Sequence, residues 1–283
     1  MLGRGQAVFR DLVGIRRTAG NAVLMSYLAS FGRALPSVLS ARSLIPVDRA
    51  MPRRVYSFTP FKGRQSVLLD SREESGPGEV FSGAREMYCR HVYFPDQRFS
   101  ISSGDVVIDL GANIGLFTTM AAVLGATVYA VEAQSGLLSL IDGNLERNHA
   151  AERAEIQLGL IGGSSGVLAG GPAVASHWGI DPPSMSLADI VRDRGIRCID
   201  FLKIDIEGSE FSLFAGDCEW LAITRRIAME VHPRYGDARA IRETIESFGF
   251  DAWITSNDGV RVEKLQESTG YLYALKPLIG SPK

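Results

Sequence analysis

The chain holds no CxxC pair and no zinc-ligand spacing. Its three cysteines, Cys89, Cys198 and Cys218, are odd in number and far apart, which argues against a disulfide framework and favours a reducing, cytoplasmic setting. Basic excess is also missing. A formal charge of -2 argues against a general nucleic-acid binder, which needs surplus Lys and Arg to displace counterions. No uninterrupted apolar run reaches the roughly 18 to 20 residues that span a bilayer, and the longest candidate, AVLMSYLASFG, is followed by Arg33. Acids are scarce at one end, where residues 1–54 carry nine Arg and no Lys against Asp11 and Asp48. What is there is ordinary globular material: 283 residues, 46% hydrophobic and 22% charged, enough for one large domain with an appendage.

Val8, Leu12, Ile15 and Ala19, then Leu24, Leu28, Phe31 and Leu35, recur at helical spacing and predict two helices over 6–40. LPSVLSARSLIPVDRAMPRR breaks that pattern with three prolines and reads as a linker or irregular wrap. Residues 1–54 are therefore expected to form a basic helical extension, and 55–283 the main domain, its motifs within about 85–276. From about residue 80, strand-like apolar runs alternate with helical ones, as in a sheet built through helical crossovers. Strands are predicted at 106–110, 127–132, 154–161, 200–206, 226–231, 250–255 and 270–276, with helices at 115–124, 135–148, 186–194, 209–216 and 237–248. The result is an α/β, doubly wound, Rossmann-like sheet of seven strands, mostly parallel, with an antiparallel last strand: a small-molecule methyltransferase pattern. The Gly- and Pro-rich stretch 162–184 is a long excursion after the third strand, of a kind that is more often functional than decorative.

Within VVIDLGANIGLFTTMAA, Asp109 stands at the end of the first core strand, before a turn in which Gly111 and Gly115 permit close backbone approach. Ligands of open parallel sheets sit beyond the carboxyl ends of the strands. A carboxylate at that rim repels a dinucleotide's phosphates but suits S-adenosylmethionine, which carries an ammonium, a sulfonium and no phosphate. Glu132, at the end of TVYAVE, is placed to accept hydrogen bonds from ribose hydroxyls. GANIGL lacks the first GxG pair of a full dinucleotide fingerprint, which opposes the alternative of an NAD-dependent oxidoreductase.

VVIDLGANIGLFT, VYAVEA, SLADI, DFLKIDIEGSE and IAMEVHP, in this order, resemble the FkbM family of S-adenosylmethionine-dependent methyltransferases over about residues 85–275. The resemblance implies a class I methyltransferase fold and O-methylation of a hydroxyl on a sugar, glycolipid or polyketide-type small molecule. Many members carry proline after the ribose-binding acid, where this chain has Ala133 and Gln134. Asp109, Gly111, Asn113, Gly115 and Glu132 are the expected cofactor contacts.

Methyl transfer to oxygen depends on positioning and gains from a base that removes the hydroxyl proton. FLKIDIEGSE sets Asp205 and Glu207 two apart, and IAMEVHP does the same for Glu230 and His232, so each pair is expected to share one face at a strand end. Asp205, Glu207 and His232 are the expected reacting-centre residues. His232, able to titrate near neutral pH, is the first candidate for the base, while Glu210 in a first helical turn reads as structural. These oxygen-rich groups could take magnesium or calcium, but no tight motif requires it and none is predicted. A cofactor-binding protein without turnover is the non-enzyme alternative. Acceptor contacts are sought among Tyr88, Tyr93, His177 and Trp178. The amino-terminal helices admit three readings: a cap or homodimer contact, an amphipathic membrane-surface anchor, or a targeting peptide.

Overall fold

The computed structural model describes residues 2–72, 78–162, 179–266 and 268–277. The chain opens with helix α1 (Leu2–Ala41) and the short α2 (Ile45–Arg49), then a hairpin of β1 (Val55–Phe58) and β2 (Val67–Asp70). Helix α3 (Glu79–Ala84) runs into a π-helical turn, Arg85–Cys89. The sheet elements follow: β3 (Val106–Leu110), α4 (Leu116–Val123), β4 (Thr127–Glu132), α5 (Leu138–Arg147), β5 (Ala154–Leu158), β6 (Leu160–Ile161), β7 (Ser184–Met185) and α6 (Leu187–Asp193). The last part holds β8 (Phe201–Ile204), α7 (Glu210–Ala215), β9 (Arg226–Val231), α8 (Ala238–Ser247), β10 (Asp251–Ser256), β11 (Arg261–Val262) and β12 (Gly270–Leu275).

The main sheet runs β11-β10-β12-β9-β8-β3-β4-β5. Strands β5, β4, β3, β8 and β9 pair in parallel, whereas β12 is antiparallel to both of its neighbours. This is the Rossmann-like methyltransferase architecture expected from the sequence, with eight strands in place of seven. The extra member is the two-residue edge strand β11, too short to carry an alternation. The predicted strand at 154–161 divides at Gly159, after which β6 leaves to pair with β7 in a separate small sheet.

Side-chain alternation divides the core into two layers. Val107, Phe201, Ala228, Tyr271 and Tyr273 face α4 and the amino-terminal elements, while Ile108, Leu110, Leu202, Ile204 and Met229 face α6, α7 and α8. Chain order reverses between β3 and β8, so the carboxyl ends of these two strands form the switch point at which such sheets bind ligands.

The predicted pair of amino-terminal helices is present: α1 is two helical stretches joined across a kink at Gly20, whose backbone (φ 84, ψ 175) is not helical. Pro36 does not end it, contrary to the predicted break, and the helix continues through it to Ala41. By length and composition Val8–Ala41 is apolar enough to cross a membrane, which the sequence reading missed because Arg33 interrupts the run. One face is nevertheless docked: Ile15, Val23, Tyr27 and Ala34 join the cluster containing Phe81 and Phe117.

Charge locks this cap in place. The Arg85 guanidinium forks onto Asp48 (Nε–Oδ1 3.0 Å, Nη2–Oδ2 2.7 Å) and reaches Asp11 with Nη1 at 2.8 Å. Arg90 forks onto Asp11 at 2.7 Å through both Nε and Nη2. Asp11, Asp48 and Arg85 are all buried, so α1, α2 and the π-helical turn are held by bidentate pairs that satisfy each other's lone pairs.

Candidate active site

The turns after β3 and β8 are in backbone contact. Gly111 has φ +78, and a Cβ there would lie 1.8 Å from the Asp205 carbonyl oxygen, so glycine alone fits. Asn113 also adopts positive φ; its N–H donates to Glu132 Oε2 at 2.7 Å, and Gln134 N–H donates to Oε1 at 2.8 Å. These amides fix the Glu132 carboxylate at the end of β4, and each oxygen retains a lone pair for another donor. Burial raises the Glu132 pKa against the pull of those two amides and Lys203. Gly115 starts α4 and packs against Ile141.

Asp109 is not at the rim. It shares the Val107 face of β3 and is fully buried, accepting from Thr118 Oγ1 at 2.6 Å. Register sets Asp109 beside Lys203 of β8, and the two side chains form an ion pair at 3.0 Å. Lys203 Nζ also donates to Gly111 O at 2.6 Å. Burial works against the Lys203 ammonium, yet Asp109, Asp205 and Glu132 overcome it and raise its pKa. Asp109 therefore braces the turn through Lys203 and does not meet a ligand directly. The sequence missed this because the pairing joins residues 94 positions apart, visible only once β3 and β8 are known to be neighbours.

Asp205, Glu207 and His232 do come together, with one ligand atom from each lying within 4.8 Å of the others. Glu207 adopts φ +51, and the next residue, Gly208 (φ +100), is overlaid by the Tyr235 ring, 2.4 Å from where a Cβ would be. This tight turn aims Glu207 at His232, Nε2 to Oε2 at 3.3 Å. On the other side of the ring, Nδ1 lies 3.1 Å from Glu210 Oε1. Glu210 is fully buried and also accepts the His232 backbone N–H at 2.7 Å and the Gly208 N–H at 2.8 Å. Burial opposes the charged ring, but Glu207 and Glu210 carry the His232 pKa up to about 11. The imidazole does not titrate near neutral pH, and its expected role as general base is withdrawn. The bond from His232 in turn lowers the Glu207 pKa.

Asp205 faces the other way, accepting from Tyr93 O–H at 2.9 Å. Burial raises its pKa, Lys203 opposes that, and Glu207 adds to it. Glu230 is paired in register with Tyr271, and its pKa is pushed well above the carboxylate range by burial and then by Asp205. Tyr93 thus belongs to the site, whereas Tyr88 is fully buried and donates to Leu116 O at 2.7 Å. His177 and Trp178 lie outside the described residues, as does most of the 162–184 stretch.

Two hollows meet here. A narrow cleft of about 110 Å³ runs from Glu132 past Gly159–Ile161 to Asp205 and Glu207. A cavity of about 580 Å³ extends beneath the cap, walled by Glu86, Tyr93, Lys203, Asp205, Glu230 and Tyr271 and reaching out to Ile45 and Arg49. Gly111, Asn113, Gln134 and Asp205 line both. The described lining of the cleft holds three carboxylates, Glu132, Asp205 and Glu207, and no Lys or Arg. Glu86, not singled out from the sequence, enters from the π-helical turn, and such turns recur at functional sites.

Residues 109–252 match the methyltransferase FkbM domain. Over 218 residues the chain is 30% identical to the 31-O-demethyl-FK506 methyltransferase FkbM of Streptomyces tacrolimicus, covering 61% of this chain and 82% of that one. Among solved structures, an rRNA methylase from Streptococcus thermophilus aligns with TM-score 0.43 and 13% identity, covering 66% of this chain and 95% of that one. An O-methyltransferase from Bacillus cereus aligns with TM-score 0.36 and 17% identity, covering 61% and 74%. At these scores neither structure bears on the activity.

Proposed function

Since the chain belongs to the FkbM methyltransferase family, we propose that it transfers the methyl group of S-adenosylmethionine to a hydroxyl of a sugar, glycolipid or polyketide-type small molecule. The observation that carries this reading is the charge of the cleft, whose described lining holds three carboxylates and no Lys or Arg. Such a lining disfavours the phosphates of a dinucleotide and favours a ligand that offers hydroxyls at one end and positive charge at the other. The electrostatic selection proposed here rests on Glu132, Asp205 and Glu207 in place of Asp109. The relative's printed name describes an O-methylation, which supports oxygen as the acceptor atom.

When bound, S-adenosylmethionine supplies a sulfonium methyl group open to in-line attack by an acceptor oxygen. Glu132 would take the ribose hydroxyls, and the Gly111–Asn113 turn with Gln134 would hold the rest of the ligand against Asp205. The acceptor would occupy the cavity under the cap. Of the cavity's carboxylates, Asp205 accepts from the Tyr93 hydroxyl and has the Lys203 ammonium opposing the rise that burial gives its pKa, and we assign it the acceptor proton. His232, held as a cation, orients Glu207 and offsets part of the cluster's negative charge.

Titration calorimetry with S-adenosylmethionine and S-adenosylhomocysteine, using Glu132→Gln as control, tests the cofactor. Binding by the wild-type chain that weakens in the control is expected. Methyl transfer to a panel of hydroxylated sugars, glycolipids and polyketides then tests the acceptor. NADH binding without S-adenosylmethionine binding would overturn the reading.

A further inference from the structure

Beyond Gly20, α1 has two unlike faces. Val23, Tyr27, Ser30 and Ala34 are buried against the domain. On the opposite side, Met25, Leu28, Leu35 and Leu39 stand 63%, 41%, 41% and 70% exposed. Their spacing places them in one stripe along the helix. A surface apolar stripe of this kind marks an interaction site. Charge identifies what it meets. No Asp or Glu occurs between Asp11 and Asp48, while Arg16, Arg17, Arg33 and Arg42 do. Arg33 and Arg42 are exposed; Arg33 donates to Ser30 Oγ and Ala50 O, and Arg42 directly follows the end of α1. Arg49 and Arg53, also exposed, continue the basic rim past the end of α1.

We propose that this face of α1 seats on an anionic lipid surface, with Met25, Leu28, Leu35 and Leu39 in the acyl boundary and the arginines among the headgroups. Apolar area and electrostatic attraction are the two contributions that hold a helix in a membrane interface. The docked face settles how the helix lies. With Val23, Tyr27 and Ala34 packed on the domain and Asp11 locked to Arg85 and Arg90, α1 lies along the membrane and does not cross it. The face is also continuous with the cavity, because Ile45 is 46% exposed and, like Arg49, lines the cavity wall. A chain seated this way presents its larger hollow to the lipid headgroups, where a lipid-linked hydroxyl is found. That last consequence rests on the cavity being the acceptor site; the seating itself does not.

The test is flotation of the full-length chain with phosphatidylcholine vesicles prepared with and without phosphatidylglycerol. Binding to the anionic vesicles that falls in high salt is expected. Each of Arg33→Gln and Arg42→Gln should weaken it by roughly fivefold, the equivalent of about 1 kcal/mol per arginine. Leu28→Glu with Leu39→Glu should abolish it while leaving the melting temperature and S-adenosylmethionine titration unchanged, since both side chains are solvent-facing and remote from the cleft. That titration separates a failure here from a failure of the proposed methyl transfer. A wild-type chain that ignores anionic vesicles overturns the proposal. So does a wild-type dimer that ignores vesicles and is made monomeric by the two glutamates, because the stripe then belongs to a second copy. Vesicle binding indifferent to the Leu28 and Leu39 substitutions overturns it as well.

Discussion

Beneath the cap, two arginines meet two aspartates, and every fork is closed: Arg85 and Arg90 against Asp11 and Asp48. Around the cleft, Asp205, Glu207, Glu210 and Glu230 share Lys203 and His232, and Lys203 is already paired with Asp109. Both regions withdraw charge from water, which is costly unless each charge finds a partner. The balanced set joins three elements and leaves nothing over. The unbalanced set keeps negative charge that a cationic ligand would neutralise, because among the described residues Asp205 and Glu230 have no ion pair of their own to match those of Asp11 and Asp48. The lesson is that burying ionisable groups has opposite meanings in the two places: structure where the charges cancel, ligand recognition where they do not.

Asp205→Asn probes the unbalanced side most sharply. Turnover should fall by roughly two to four powers of ten, the usual contribution of a positioned base, with the melting temperature at pH 7 unchanged or higher. The sign follows from linkage: a folded-state pKa raised above 3.8 means that folded stability is lost as pH rises through that raised value. The ionised carboxylate is then a burden on the fold that asparagine relieves. A large drop in melting temperature would break the contrast between the two regions.

On the balanced side, Arg85→Met should destabilise the fold by about 3–5 kcal/mol, because it strands buried Asp48 and leaves Asp11 with Arg90 alone. Urea unfolding measures this. Replacing Arg85, Arg90, Asp48 and Asp11 together with apolar residues should recover most of the loss, as it would for a purely structural cluster.

Glu132→Gln keeps the size of the side chain and one of its two amide contacts while removing the charge, because the new NH2 group cannot accept the second backbone N–H. S-adenosylmethionine affinity should fall about tenfold, near the strength of one charge-assisted hydrogen bond, with a loss of stability of about 1–3 kcal/mol from the amide left without an acceptor. The smallest effect belongs to His232. Its pKa is raised from 6.5 to about 11, so the stability it confers is complete below pH 6.5 and is lost progressively as pH climbs toward 11. The difference in melting temperature between the wild type and His232→Gln should therefore shrink between pH 7 and pH 10. A pH-independent difference would mean that Glu207 and Glu210 do not hold an imidazolium.

The sheet was legible in the sequence because its strands are buried on both faces and read as nearly continuous apolar runs, such as VVIDL and FLKI. The fold class and the position of the glycine turn followed from those runs and their spacing. What stayed hidden depended on neighbours distant in sequence. Asp109 was placed at the rim from its position near a strand end, yet its partner Lys203 is set by the register of β3 against β8. His232 was read by its ordinary pKa, whereas its state is fixed by Glu207 across a positive-φ turn and by Glu210 one helical turn further on. Glu86 sits in a π-helical turn that no simple periodicity marks. Pro36 misled in the opposite direction, since a proline on the solvent side of a helix anchored by its other face does not end it.

The residues common to the cleft and the cavity tie the two hollows together energetically. Gly111, Asn113, Gln134 and Asp205 border both hollows, so whatever fills the cleft becomes part of the wall against which the acceptor rests. Affinities for the two ligands are then coupled, and by the same factor in either direction. Acceptor affinity should therefore differ with and without S-adenosylhomocysteine, and S-adenosylhomocysteine affinity should change by the same factor when acceptor is present.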